Sequence, residues 1–316
     1  MEADKHSRTA VMMAALRAYH HSCPEPRIFD DPLAQSMLVP DERDAFEKTG
    51  ERLLKFLDPP LAASCTGPAQ FLYHALRIGP GIGPLVRARY IEDALLAALA
   101  DGIRQYVIVG AGLDTFAFRR PDLMQRLRVI EIDHPASQAF KRDRLLRAAL
   151  TPPATLHFAP ADLERERVSD ALFRSPYDRT QPAFFAWPGV TMYLTQKAIL
   201  ETISSIAEVG APGSRLAFDY IEPAAYTPDA PARLRFVIQI ARQLGEPMIP
   251  NLTPANLQPD LAAASFKLIK DLAPFDIQSR YLANVGGFRA MECWHLALAL
   301  RVGENKPGLY IRGGVS

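Results

Sequence analysis

Tyr106-Val107-Ile108-Val109-Gly110-Ala111-Gly112-Leu113-Asp114-Thr115, followed by Val129-Ile130-Glu131-Ile132-Asp133, decides how this chain folds. The first four residues are a short apolar run rich in β-branched side chains, the pattern of a buried parallel strand. The glycines after it let the backbone turn sharply and approach a ligand closely. The second apolar run ends on a carboxylate about 20 residues further on, where nucleotide-binding α/β folds place the acid that grips a ribose. Together these features imply a nucleoside ligand lying across the carboxyl ends of parallel strands.

The glycine segment does not read as a dinucleotide site. Thr115 occupies the third glycine position of G-x-G-x-x-G, and Asp114 sits where a pyrophosphate wants helix N–H groups and no negative charge. An acid there suits a ligand carrying positive charge, such as the amino group and sulfonium of S-adenosylmethionine. The competing reading is that Gly110 and Gly112 only make a tight turn; Asp133, at the right distance and at a strand end, counts against it.

Composition bounds the rest. The 316 residues are 48% apolar and 22% charged with a net charge of +1, which describes a soluble globular protein of one large domain or one domain with a lid. No global basic field recommends nucleic acid as a partner. Cys23, Cys65 and Cys293 are odd in number and far apart, so they form no metal spacing and no disulfide framework, in keeping with a reducing cytoplasm. The start, Met1 to His6, is too charged for a signal peptide, and no apolar run approaches the ~18 residues of a membrane span.

Working outward, residues 7–21 read as a helix capped by Ser7 and ended by Pro24 and Pro26. Asp30-Asp31-Pro32-Leu33-Ala34 has the acid cap and early proline of a second helix start. Helical segments follow at about 42–57 and 68–78. The helix after the Gly79–Pro84 loop carries Arg87 and Arg89 toward the first strand, where an arginine could make a two-pronged bond to a ligand carboxylate. Past Asp133, residues 134–150 read as a helix with Lys141, Arg142, Arg144 and Arg147 outward. Strands are expected at 155–158, 182–187, 215–220 and 294–301, with a weak start at Asp276-Ile277-Gln278. A helix over 163–172 would take Asp162 as its cap, and Thr195 caps another running to Val209. Seven prolines between Glu222 and Asp260 surround one helix at about 231–244, the composition of a lid. Alternating strands and helices indicate an α/β, mostly parallel sheet. The expected division is an N-terminal helical cap over 1–100 and a ligand-binding Rossmann-like domain over 101–316, with a lid insertion at about 222–265.

Ser7-Arg8-Thr9-Ala10, Arg17-Ala18, Asp30-Asp31-Pro32-Leu33-Ala34, Arg87-Ala88-Arg89, Gly110 to Thr115, Glu131-Ile132-Asp133-His134-Pro135, Asp162-Leu163 and Gly189-Val190-Thr191-Met192-Tyr193-Leu194 occur in that order. The ordered set resembles the leucine carboxyl methyltransferase-like family, and the chain looks like a bacterial member. The resemblance implies a class I methyltransferase fold, seven strands with the last antiparallel, and S-adenosylmethionine as methyl donor. Carried over residue by residue, it implies that Arg87 holds the methionine carboxylate, Gly110 and Gly112 border the methionine part, Asp133 accepts the ribose hydroxyls, and Asp162 with Leu163 frames the adenine. Asp114 belongs to the same cofactor set. Two departures stand out: Pro188 replaces the acid many members carry before Gly189-Val190, and Glu92 replaces the usual aspartate after Arg89-Tyr90-Ile91, which matters little if Asp93 faces the same way.

The expected reaction is O-methylation of a carboxylate or hydroxyl on a small molecule. A carboxylate acceptor needs no base, whereas a hydroxyl wants one. His20, His21 and Tyr193 are the candidates, with Asp219 and Glu222 at the end of the fifth strand; for each, a purely structural role is the competing reading. Two other functions stay open: a nicotinamide-dependent oxidoreductase, which Asp114 and Thr115 oppose, and a non-catalytic cofactor-binding scaffold, which Pro188 keeps in view. No membrane partner is expected.

Overall fold

The computed structural model describes residues 7–23 and 27–303. Met1 to His6, which bear on a leader peptide, and Pro24 and Pro26, expected to end the first helix, lie outside the described residues.

The chain opens with a helical layer: α1 (Arg8–Ser22), α2 (Pro40–Leu57), α3 (Pro59–Ser64), α4 (Pro68–Ile78) and α5 (Ile82–Ala100). Local chemistry sets the starts. Ser7 Oγ accepts from Ala10 N at 3.1 Å, the Glu42 carboxylate returns to Val39 N at 2.9 Å, and Asp58 accepts from Leu61 N at 3.0 Å. The helix expected at Asp30–Ala34 is only a single tight turn, Ala34–Met37. Asp31 is 1% exposed, and its carboxylate serves Arg17 and Thr115 as well as Leu33 N, so a local cap was the smaller part of its role.

The sheet half runs β1 (Gln105–Val109), α6 (Phe116–Arg119), α7 (Pro121–Met124), β2 (Arg128–Asp133), α8 (Pro135–Arg147), β3 (Leu156–Pro160), α9 (Val168–Phe173) and β4 (Ala183–Trp187). It continues through α10 (Gln196–Val209), β5 (Arg215–Ile221), α11 (Ala232–Gln243), α12 (Pro254–Ala263), β6 (Phe266–Leu272), α13 (Pro274–Ile277) and β7 (Trp294–Arg301). Strand order is β3-β2-β1-β4-β5-β7-β6. The pairs among β1 to β5 are parallel, and β7 is antiparallel to both β5 and β6. This is the seven-stranded class I methyltransferase arrangement. The order reverses between β1 and β4, which opens a crevice at their carboxyl ends.

Two apolar layers hold the sheet. Tyr106, Ile108, Phe184 and Ala186 pack toward α5, while Val107, Val109, Ile130, Ile132, Phe185 and Trp187 pack toward α9 and α10. Burying each large side chain contributes about 1.5–3 kcal/mol, which is why β1 and β4, buried at every position, read as apolar runs from Tyr106 to Val109 and from Ala183 to Trp187.

Three expectations are corrected. Asp276-Ile277-Gln278 is not strand: Pro274 opens a helical turn that Asp276 caps by accepting from Ala273 N at 3.1 Å. The true edge strand, Phe266–Leu272, hid because a register shift between Leu268 and Lys270 breaks its alternation and leaves Ile269 exposed. The helix expected over 163–172 begins only at Val168, and Asp162 instead accepts from Glu164 N at 3.1 Å inside a turn. Finally, α8 is not wet along its whole basic face. Lys141 is 1% exposed and pairs with Glu131 at 2.5 Å, and Arg144 reaches Glu42 at 2.6 Å.

Candidate active site

A cavity of about 490 Å³ lies over the carboxyl ends of β1, β2, β4 and β5. Arg87, Gly110, Gly112, Asp114, Asp133, Asp162, Leu163 and Tyr193 all line it. The structure therefore gathers onto one wall system residues that the sequence spreads over more than a hundred positions.

The floor is the turn after β1. Gly110 and Gly112 have φ of +74° and +50°, the left-handed region that glycine adopts without strain. A Cβ on Gly110 would stand 2.5 Å from Val190 Cγ2. Gly110 N donates to Ile132 O at 2.8 Å, and Gly112 N donates to Asp133 Oδ2 at 2.5 Å. The second oxygen, Oδ1, accepts from His134 N at 2.7 Å. Burial raises the Asp133 pKa, and these two backbone donors oppose that rise. Asp133 is thus a fixed carboxylate at the tip of β2 with its remaining acceptor capacity toward the cavity. Asp114 accepts from Phe116 N at 2.6 Å, which starts the next turn. Asp162 and Leu163 stand at the end of β3, held close because Ala161 N donates to Asp133 O at 2.9 Å.

The opposite wall comes from α5. Arg87 Nη1 lies 2.8 Å from Asp219 Oδ2. Asp219 is fully buried and also accepts from Gly189 N at 2.6 Å and Trp294 Nε1 at 3.0 Å. One carboxylate thereby fixes an arginine, the loop after β4 and the start of β7. Gly189 has φ +69°, and a Cβ there would come within 2.6 Å of Arg87 Nη2, so the loop lies directly against the guanidinium. From sequence, Asp219 was named only as a possible base; with three donors on it, it is a brace. Its signal was available: a single acid in an otherwise uncharged strand interior.

A second network ties α1 to the glycine turn. Arg17 donates to Asp31 Oδ2 at 2.8 Å and to Leu113 O at 2.7 Å, and Thr115 Oγ1 donates to Asp31 at 2.8 Å. The Thr115 that breaks the dinucleotide pattern is what lets Asp31 hold this turn. Glu92 and Asp93 do not face the same way. Glu92 lines the cavity and pairs with Arg119 at 2.8 Å and with Arg120, whereas Asp93 pairs with the exposed Arg89 at 2.8 Å.

The base candidates separate. His20 is 1% exposed and is not among the cavity-lining residues. Its Nε2 accepts from Ile28 N at 2.9 Å, and burial pushes its pKa down to about 4; it is a neutral strut for the segment after α1. His21 pairs with Asp30 at 2.6 Å. Glu222 bonds His295 Nε2 at 2.6 Å and does not line the cavity among the described residues. Tyr193 does line it, and burial pushes its phenol up to about 12, so at neutral pH it is a hydrogen-bond donor and not a base.

The seven-stranded sheet, the switch-point cavity and the acid at the tip of β2 define a class I methyltransferase architecture. The family model for leucine carboxyl methyltransferases matches residues 10–207, and the chain belongs to that family. It is 33% identical over 286 residues to YktD of Bacillus subtilis (strain 168), named as a candidate S-adenosyl-L-methionine-dependent methyltransferase; the match covers 90% of this chain and 94% of that one. The fold is shared with a duf574 family protein from Streptomyces avermitilis MA-4680, at TM-score 0.59 and 15% identity, covering 91% of this chain and 96% of the other. A Thermobifida fusca YX structure, named as a candidate methyltransferase, aligns at TM-score 0.54 and 16% identity over 93% and 94% of the two chains. No helix among the described residues is long and apolar enough to cross a membrane.

Proposed function

We propose that this chain is an S-adenosylmethionine-dependent O-methyltransferase acting on a carboxylate or hydroxyl of a small molecule. Family membership supports the methyltransferase part. The observation that carries the cofactor reading is Asp133: a carboxylate at the tip of β2, both oxygens held by backbone N–H groups, standing in a cavity at the point where strand order reverses.

The residues present fit the cofactor. Asp133 would hold the ribose hydroxyls, with Asp162 and Leu163 along the base. Gly110 and Gly112 leave room for close backbone approach, and Asp114 adds negative charge beside them. Arg87, steadied by Asp219, would meet the amino-acid carboxylate, a charge-assisted bond of the strong kind. When bound, the cofactor supplies a methyl group already activated by a sulfonium. The chain's own work is then to align the acceptor oxygen and exclude water, and alignment alone can supply several kcal/mol. The helices α1 and α11 supply that enclosure, and Glu246 joins them by accepting from Arg8 N at 2.9 Å and Ser7 Oγ at 3.2 Å.

The test has two arms. Titration with S-adenosylhomocysteine is expected to show saturable binding, and NAD none. Labelled donor supplied with a panel of carboxylic acids, phenols and amines is expected to yield methyl esters or ethers; products methylated only at nitrogen or carbon sink the oxygen assignment.

A further inference from the structure

Of the eight methionines in the sequence, five line the cavity: Met12, Met13, Met192, Met248 and Met291. They come from four separate segments of the chain, α1, the loop after β4, the segment after α11 and the approach to β7, so the fold gathers them and no local repeat does. None has a part in the cofactor roles set out above.

The methionines form two patches. Met12 and Leu244 pack against the apolar cluster that holds Ile240 of α11. Met192 and Met291 belong to the core layer under the sheet, and Met248 packs against it. Ile249 N donates to Met192 O at 2.9 Å, which fixes the segments of Met192 and Met248 side by side. Met12, Met13, Val237, Leu244 and Met248 are only half-buried although they line a cavity, so apolar surface is left there for a bound molecule to cover. Polar groups on this side, those of Ser7, Thr9 and Glu246, gather where α1 begins. Thioether side chains are flexible and polarizable, repack around bodies of differing outline, and make favourable contacts with aromatic rings.

We infer that the methyl acceptor carries a large apolar, ring-bearing body and that this methionine wall is its seat. The inference rests on the methyltransferase reading and narrows its small molecule to one class. A small hydroxy acid would leave the wall wet. A ring system removes it from water, and the gain grows with the apolar area covered. Carboxylate and hydroxyl acceptors are served alike, because the wall touches the body and not the reacting oxygen.

The experiment titrates five probes by calorimetry at pH 7.5 into the full chain saturated with S-adenosylhomocysteine: phenol and 2-naphthol, benzoate and 2-naphthoate, and L-lactate as a polar molecule with both oxygen groups. The naphthyl member is expected to bind at least tenfold more tightly than its one-ring partner in whichever pair binds, and lactate is expected to show no saturable binding. The variants Met12→Gln and Met248→Gln, one in each patch, are each expected to weaken the naphthyl probe at least fivefold while affinity for S-adenosylhomocysteine stays within twofold of the parent. Lactate matching the naphthyl probes, equal affinity within a pair, no binding by any probe, or naphthyl binding unchanged in both variants overturns the inference. The comparison of ring sizes uses the parent chain, so it stands even where a variant fails to fold. Absence of S-adenosylhomocysteine binding to the parent overturns the methyltransferase reading beneath it and is seen separately, before any probe is added.

Discussion

Asp219→Asn isolates the brace behind Arg87. The side chain keeps its shape but loses its charge. In the native protein Oδ2 accepts from Arg87 at 2.8 Å and from Trp294 at 3.0 Å, while Oδ1 accepts from Gly189 N at 2.6 Å. An amide has one acceptor oxygen and one NH₂ group. If its oxygen faces Arg87 and Trp294, the NH₂ confronts the Gly189 N–H; turned over, it confronts both other donors. Either way a donor meets a donor in a site with no exposure at residue 219. Arg87, 14% exposed, is left without its counter-charge. Breaking a buried pair by removing one partner costs about 3–5 kcal/mol, a large share of the ~5–15 kcal/mol that holds a domain folded. The expected outcome in guanidinium unfolding is a lowered midpoint with an unchanged slope, since the exposed surface is unaltered. Because the guanidinium loses its fixed position, S-adenosylhomocysteine affinity should fall about tenfold, or ~1.4 kcal/mol. A variant within ~1 kcal/mol of the parent in stability, binding the ligand equally well, refutes the reasoning.

Gly189→Ala places a methyl 2.6 Å from Arg87 Nη2 at a backbone φ of +69°; it should cost ~1–2 kcal/mol in stability and weaken S-adenosylhomocysteine more than tenfold, and unchanged affinity in a titration contradicts the proposed contact. His295 sits between Asp271 at 3.1 Å and Glu222 at 2.6 Å; burial lowers its pKa, but the two carboxylate bonds outweigh that and hold it above the ordinary 6.5. A raised imidazole pKa means that its stabilisation is complete below pH ~6.5 and drains as pH rises through the folded value. The stability gap between the parent and His295→Gln, about 1–3 kcal/mol at pH 6, should therefore narrow by pH 9 in denaturant titrations; a constant or widening gap contradicts it.

Much of the fold was legible because strands buried on both faces are apolar along most of their length. β1, β4 and β7 follow that pattern, with Gln105, His295 and Arg301 as the polar exceptions, and were read to within a residue or so. β6 was missed because it lies at the sheet edge, where Lys267 and Lys270 face solvent and a bulge breaks the period. Lys141 and Arg144 were misplaced for another reason: periodicity shows which positions share a face, not whether an acid from elsewhere waits to pair with them. Glu131 and Glu42 were those acids. At the site, the turn glycines and Asp133 were visible because close backbone approach and strand-end acids leave local signatures. The Arg87–Asp219 and Arg17–Asp31–Thr115 ties were not, since the first joins residues 132 positions apart and the second closes across three separate segments.

The most direct measurement is the affinity of S-adenosylhomocysteine for the parent chain and for Asp133→Asn, by calorimetry, with the unfolding midpoint of both recorded alongside. Losing hydrogen bonds to a charged acceptor is worth ~1.5–3 kcal/mol, so the account predicts a drop of roughly tenfold to a hundredfold; the amide NH₂ also meets the Gly112 or the His134 N–H, so the midpoint falls while a cooperatively folded protein remains. Equal affinity in a folded variant would place the nucleoside somewhere other than the tip of β2.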